Sequence, residues 1–134
     1  MDETQIRLIL GYVEKARAKL EVAQELLQNQ HYDDAISRAY YAAFHAAQAA
    51  LLFEGQKAET HRGLVSLFGL LLVKTGKIAP RFGKMLANLK DDREAGDYET
   101  ITYLDEESAE HAVREASDFC AAIEEFLRSQ GALD

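Results

Sequence analysis

The sequence predicts an all-α fold, an up-and-down bundle of four to five antiparallel helices. Three observations carry that reading. Apolar residues recur at intervals of three and four rather than two. Proline occurs once, at Pro80, and the glycines sit mostly at breaks between periodic segments. The periodic segments are long and their connections short, which places successive helices side by side and antiparallel.

The first helix is expected from about Thr4 to Gln28, with Ile6, Leu10, Val13, Ala16, Leu20, Ala23 and Leu27 on one face. A short turn, "NQHYDD", leads to the second, about Tyr32 to Phe53. After the loop "EGQKAET", a third runs from about His61 to Val73 and stops at "KTGK", where Gly76 can take the left-handed cap. Pro80 suits the first turn of a fourth helix reaching about Ala95, where Gly96 ends it and "GDYETITY" forms a loop. Asp105 can cap a fifth, about Glu106 to Ser129. Its core stripe is Ala109, Ala112, Val113, Ala116, Phe119, Ile123 and Phe126.

A length of 134 residues fits one domain, residues 1–134, and 48% hydrophobic residues are enough to build a core. The longest apolar run is too short to span a membrane, and "MDETQIRLIL" lacks the basic start of a signal peptide. The expected setting is the cytoplasm. One cysteine, Cys120, excludes an intramolecular disulfide and a cysteine zinc cluster; its apolar helix makes it a core residue rather than a nucleophile. The four histidines show no ligand spacing, and glycine-rich phosphate loops are absent, so neither metal nor cofactor is expected. A net charge of −8 argues against a general nucleic-acid binder. Lys74, Lys77, Arg81, Lys84 and Lys90 nevertheless make a local basic strip with no acid among them.

The second helix is unusual. Ile36, Tyr40, Ala43, Phe44, Ala47 and Leu51 share its core face. At about 100° per residue, Arg38 and His45 lie only about 20° apart and point away from that face. Their neighbours there are Tyr41, Ala42, Gln48, Ala49 and Leu52, and from Arg38 to Phe53 only Arg38 carries a formal charge. A helix apolar all round is buried all round, so another helix or another chain must cover it. The expected cover is a second copy, a homodimer seam crossed by Arg38, Tyr41, His45, Gln48 and Leu52. Polar groups on such a seam either fix register or contact ligand.

Two further groups are candidates. His61 and Arg62 open the third helix, whose free N–H groups suit a phosphate; the plainer reading makes Thr60 an N-cap and His61 a surface residue. In "DDREAGDYE", Arg93 and Asp97 are placed for an i, i+4 ion pair. The functional version has Arg93 gripping a phosphate while Tyr98 stacks on a base or donates a proton.

Four elements in order, "SRAYYAAFHAAQAALL", "THRGLVSLF", "VKTGK" and "REAGDY", give the chain a resemblance to the HEPN family (higher eukaryotes and prokaryotes nucleotide-binding domain), in its short single-domain prokaryotic branch. The resemblance runs from about Ile6 to Leu127. It implies a dimerising helical bundle, similar to the toxin half of toxin–antitoxin pairs whose other half is a small nucleotidyltransferase. It also implies binding of RNA or a nucleotide at a dimer cleft. Many members are metal-independent ribonucleases with an Arg, four to six residues, then His signature. There the arginine stabilises the phosphorane charge and the histidine handles the 2′-hydroxyl proton. Here Arg93 is followed by Tyr98 where that signature has histidine, and an Arg-x6-His spacing occurs instead at Arg38 and His45. The catalytic candidates are therefore Arg93, Tyr98 and His45, and the binding candidates Arg38, Arg93, Asp97, His61 and Arg62. A nucleotidyltransferase could also modify a tyrosine, with Tyr98 and Tyr103 in the expected loop. An endoribonuclease and a non-catalytic interaction protein both remain open.

Overall fold

The computed structural model describes residues 1–98 and 104–134. Five helices follow in the expected order: α1 (Glu3–Gln28), α2 (Tyr32–Phe53), α3 (His61–Phe68), α4 (Pro80–Tyr98) and α5 (Glu106–Ser129). No strand occurs among the described residues, and none of their helices is long and apolar enough to cross a membrane.

Local chemistry sets most of the boundaries. Asp2 caps α1 by accepting from the Gln5 amide at 2.7 Å, and Asp105 caps α5 through the Ser108 amide at 2.9 Å. Thr60 caps α3 through the Gly63 amide at 2.9 Å. A Cβ at position 63 would sit 2.8 Å from that threonine oxygen, so glycine is what lets the cap close. The last turn of α3 widens into a π-helical turn, Gly69–Val73, with the Lys74 amide bonded to the Gly69 carbonyl at 2.8 Å. Gly76 then takes φ +80°, the left-handed stop expected of it.

Helix α2 is the central element, and α1, α3, α4 and α5 all pack against it. Ala39, Ala43, Ala46, Ala47 and Ala50 are buried along it, letting neighbouring backbones come close. Helix α5 buries its whole expected stripe and adds Cys120 and Leu127. Phe119 meets Phe68 of α3 at 5.3 Å, and Phe126 meets Phe53 of α2 edge to face at 5.8 Å. Burial pushes the Cys120 thiol up to about 12, which leaves it an inert core residue.

Three expectations are corrected. Gly96 does not end α4, which continues to Tyr98. A Cβ there would lie 3.1 Å from a Leu104 methyl carbon and 3.8 Å from the Asp33 Cβ. Glycine at 96 therefore serves close packing, and packing outweighs a helix penalty of about 1 kcal/mol. In α1, Ile9 is buried while Ile6 and Leu10 are exposed, so the apolar stripe begins rotated from the expected face. Ile6 and Leu10 instead border the chain's end at Ala132 and Leu133.

The third correction concerns one residue on the back of α2, Gln48. Part of that face is met by α1, where the Tyr12 ring lies 6.3 Å from that of His45 and Gln5 reaches the Leu52 carbonyl. Gln48, expected on a seam between copies, is only 3% exposed. Its amide nitrogen donates to the Ala58 carbonyl at 3.0 Å, and its amide oxygen accepts from the Ala58 N–H at 3.2 Å. Gln48 thus pins the loop between α2 and α3. The Leu52 carbonyl is likewise occupied, accepting from Gln5 Nε2 at 2.8 Å. Gln48→Ala leaves both Ala58 groups without partners and is expected to cost about 1–3 kcal/mol in urea unfolding. Faster hydrogen exchange at the Ala58 amide should accompany that loss.

Candidate nucleic-acid interface

Tyr40 and Tyr41 are adjacent on the alanine-rich helix α2. A ring with a polar tip needs a partner for that tip when buried, and α3 and α4 supply them. The Tyr40 hydroxyl lies 2.7 Å from His61 Nδ1 at the start of α3. From α4, the Arg93 guanidinium sits 5.3 Å from the Tyr40 ring centre and 5.6 Å from that of Tyr41. Arg93 Nη1 also lies 3.5 Å from the Tyr41 hydroxyl, a long contact, and 3.3 Å from Asp97 Oδ2, closing the expected i, i+4 pair. Three helices thus converge on one cationic group that is 7% exposed.

The electrostatics are consistent with this geometry. Burial raises the Tyr40 hydroxyl, opposed by the nearby Arg93 charge, and keeps the phenol protonated. Burial, then Arg93 and Lys90, lowers His61; Glu94 pulls the other way. Both groups are therefore neutral at pH 7. If the phenol donates to Nδ1, the imidazole carries its own hydrogen on Nε2, beside the positive charge of Arg93.

His45 lies next to this group. Its ring is 6.4 Å from Tyr41, 5.5 Å from Phe44 and 6.3 Å from Tyr12 of α1, the last at an interplanar angle of 23°. Its Nδ1 is buried and makes no hydrogen bond. Burial, followed by Lys15 and Lys19, lowers its pKa to about 4. A folded pKa below the unfolded value of about 6.5 gives stability that is present at neutral pH and is lost as the pH falls from about 6.5 to about 4. Allowing for solvent screening at a half-buried ring, the loss is about 1–2 kcal/mol. Partly buried Asp92 and Glu115 have raised pKa values and contribute the opposite slope. The measurement is therefore a difference: unfolding free energies at pH 7 and pH 4.5 should diverge more for the wild type than for His45→Gln.

The remaining expected site residues are distributed as follows. Arg38 and Arg62 are exposed and form no ion pair among the described residues. Tyr103 lies outside the described residues, as does the Tyr98 side chain. The basic strip does not join the cluster. Lys77 pairs with Glu54, while Lys77 and Arg81 line a cleft of about 430 Å³ against Phe126 and Glu125 of α5. Only Lys90, paired with Glu94 at 2.7 Å, acts on His61. Among the described residues, no three His, Cys, Asp or Glu side chains gather in a metal-holding arrangement.

Sequence reasoning assigns Tyr40 to the core alone and does not foresee its contact with His61, which it names as a binding candidate. The available signal is the Tyr40–Tyr41 pair itself, two adjacent rings with polar tips.

Comparison with known proteins adds to this picture. A UPF0332 protein of Thermotoga maritima is 33% identical over 121 residues, covering 90% of this chain and 92% of that one. A protein of Methanocaldococcus jannaschii named as a candidate toxin is 36% identical over 120 residues, covering 90% of this chain and 89% of its own. The crystal structure of a Thermus thermophilus protein matches with a TM-score of 0.75 at 23% identity, over 89% of this chain and 98% of the other; that likeness speaks to the fold alone. The HEPN domain model matches residues 10–126, a span that reaches from α1 to α5. The chain belongs to the HEPN domain family.

Proposed function

We propose that this protein is the toxin-type member of a toxin–antitoxin pair, partnered by a small nucleotidyltransferase, and that as a homodimer it holds single-stranded RNA at the Arg93 cluster. Relatives named as candidate toxins support the first part. The observation that carries the second is the convergence of Arg93, Tyr40, Tyr41 and His61 from three helices, which sets a cation and an N–H donor among aromatic rings. Phosphate and base chemistry need those two kinds of group together. Asp97 holds Arg93 in the free protein and would exchange places with a phosphate oxygen.

A second reading, metal-independent cleavage of the bound RNA, is favoured by one feature. His61 is a neutral imidazole beside a buried arginine, a group able to move a proton while the arginine steadies charge on phosphorus.

Labelled single-stranded RNA mixed with purified protein in EDTA tests both. The binding reading predicts saturable binding that His61→Gln weakens by about 5- to 50-fold. Cleavage by the wild type that His61→Gln abolishes would establish the second reading. Absence of any RNA binding would remove both. Sedimentation of the protein alone and after co-expression with a small nucleotidyltransferase tests the dimer and the partner; a lone monomer in both runs contradicts them.

A further inference from the structure

The rings around Arg93 do not stop there. From Tyr40 the contacts pass to His61 at 5.5 Å, to Phe44 at 4.9 Å, to His45 at 5.5 Å and finally to Tyr12 of α1 at 6.3 Å. Tyr41 bridges the same span, touching His61 at 5.8 Å and His45 at 6.4 Å. Apart from buried Tyr40, all of these rings are half-buried, so each keeps some surface toward solvent.

Cations line the far end of this series. Tyr12, Lys15 and Lys19 follow at three- and four-residue spacing, which puts them on one face of α1. Arg38, Tyr41 and His45 repeat the same spacing on α2. Lys15 Nζ sits 5.9 Å from the centre of the Tyr12 ring. Lys15, Lys19 and Arg38 form no ion pair among the described residues. Other lysines, such as Lys74 and Lys84, are also outside any ion pair among those residues. What sets this face apart is the alternation of cations with ring faces, on a chain whose net charge is −8. Glu94 and Asp97 pair with Lys90 and Arg93 at the opposite end of the series, and Asp34 precedes Arg38 by four residues on α2.

We propose that Tyr12, His45, Lys15 and Lys19 form a second nucleotide subsite. There the base adjoining the one at Arg93 stacks on the Tyr12–His45 rings, and its phosphates meet the two lysines. This inference rests on the RNA-binding reading and extends it: the site takes a strand rather than a single nucleotide. Sequence-independent strand binding uses this combination of stacking rings and a cationic edge.

The test uses the full chain and a fluorescein-labelled uridine octamer, read by anisotropy at two salt concentrations, with uridine monophosphate as competitor. Tyr12→Leu should weaken octamer binding by about 5- to 50-fold. Lys15→Gln with Lys19→Gln should flatten the slope of log affinity against log salt by about 1.4. Neither change should alter displacement by uridine monophosphate, which needs only the Arg93 end. Lys15 is exposed and Lys19 partly so, and neither forms an ion pair among the described residues, so the double variant keeps the test valid even if Tyr12→Leu loosens α1. Octamer binding that Arg93→Lys weakens but both α1 variants leave intact would overturn the subsite and spare the reading beneath it. A wild type that binds no octamer would overturn both.

Discussion

Arg93→Ala is expected to lower the free energy of unfolding by about 2–4 kcal/mol and to weaken single-stranded RNA binding at least about tenfold. Arg93 is 7% exposed, and its guanidinium lies against two tyrosine rings and pairs with Asp97. Its removal leaves a carboxylate without its cation and opens a void beside Tyr40. Asp97 is one-third exposed, so water recovers part of the loss and the figure stays at the lower end for a buried pair. Arg93→Lys separates the two effects. Lysine keeps the charge but has no planar group to lie between the rings or to fork onto phosphate. It should recover most of the stability and little of the binding. Urea unfolding and anisotropy on the same samples check both outcomes.

Tyr40→Ala carries the second large effect, a loss of about 3–5 kcal/mol. Tyr40 is fully buried, and it joins α2 to both His61 and Arg93. Tyr40→Phe keeps the ring and removes only the bond to His61, so it should cost about 0.5–1.5 kcal/mol. It also has a consequence that packing loss alone does not produce. The O–H donated to Nδ1 favours the neutral imidazole, so without it the His61 titration followed by NMR should move to higher pH. An unchanged His61 titration would mean that the 2.7 Å contact does not set its protonation state.

Much of this architecture is legible in the sequence because local chemistry and packing point the same way. Asp105 followed by an apolar stripe at helical spacing describes α5 without further information, and the structure buries every residue of that stripe. Pro80 and Gly76 mark where α4 starts and α3 stops for reasons of backbone geometry. Gly96 misleads because a glycine near an acidic, polar segment reads as a stop. Its role depends on Leu104 and Asp33, whose approach no local pattern encodes.

The back of α2 shows the same limit. Its lack of charge signals burial, and Ala42, Gln48 and Ala49 there are buried while Arg38 is exposed and Tyr41, His45 and Leu52 are partly so; composition does not say whether the cover is another helix or another chain. Here α1 supplies part of it, through Tyr12 and Gln5, and Gln48 turns inward to a loop backbone. The candidate site is half legible for a related reason. Arg93 and Asp97 are neighbours along one helix, so their pairing follows from spacing. The His61–Tyr40 contact joins residues 21 apart on different helices. It appears only once α3 folds back over α2.

In the proposed complex, RNA lies across the Arg93 end of α4 and the ring face of α2. Photo-crosslinking with 4-thiouridine RNA, mapped by mass spectrometry of the digested protein, tests it most directly. Crosslinks are expected in the segments carrying Tyr40–Tyr41 and His61, with Tyr12 joining when the strand is longer than one nucleotide. Crosslinks confined to the cleft of Arg81, Phe82 and Phe126, with none on α2, would contradict it.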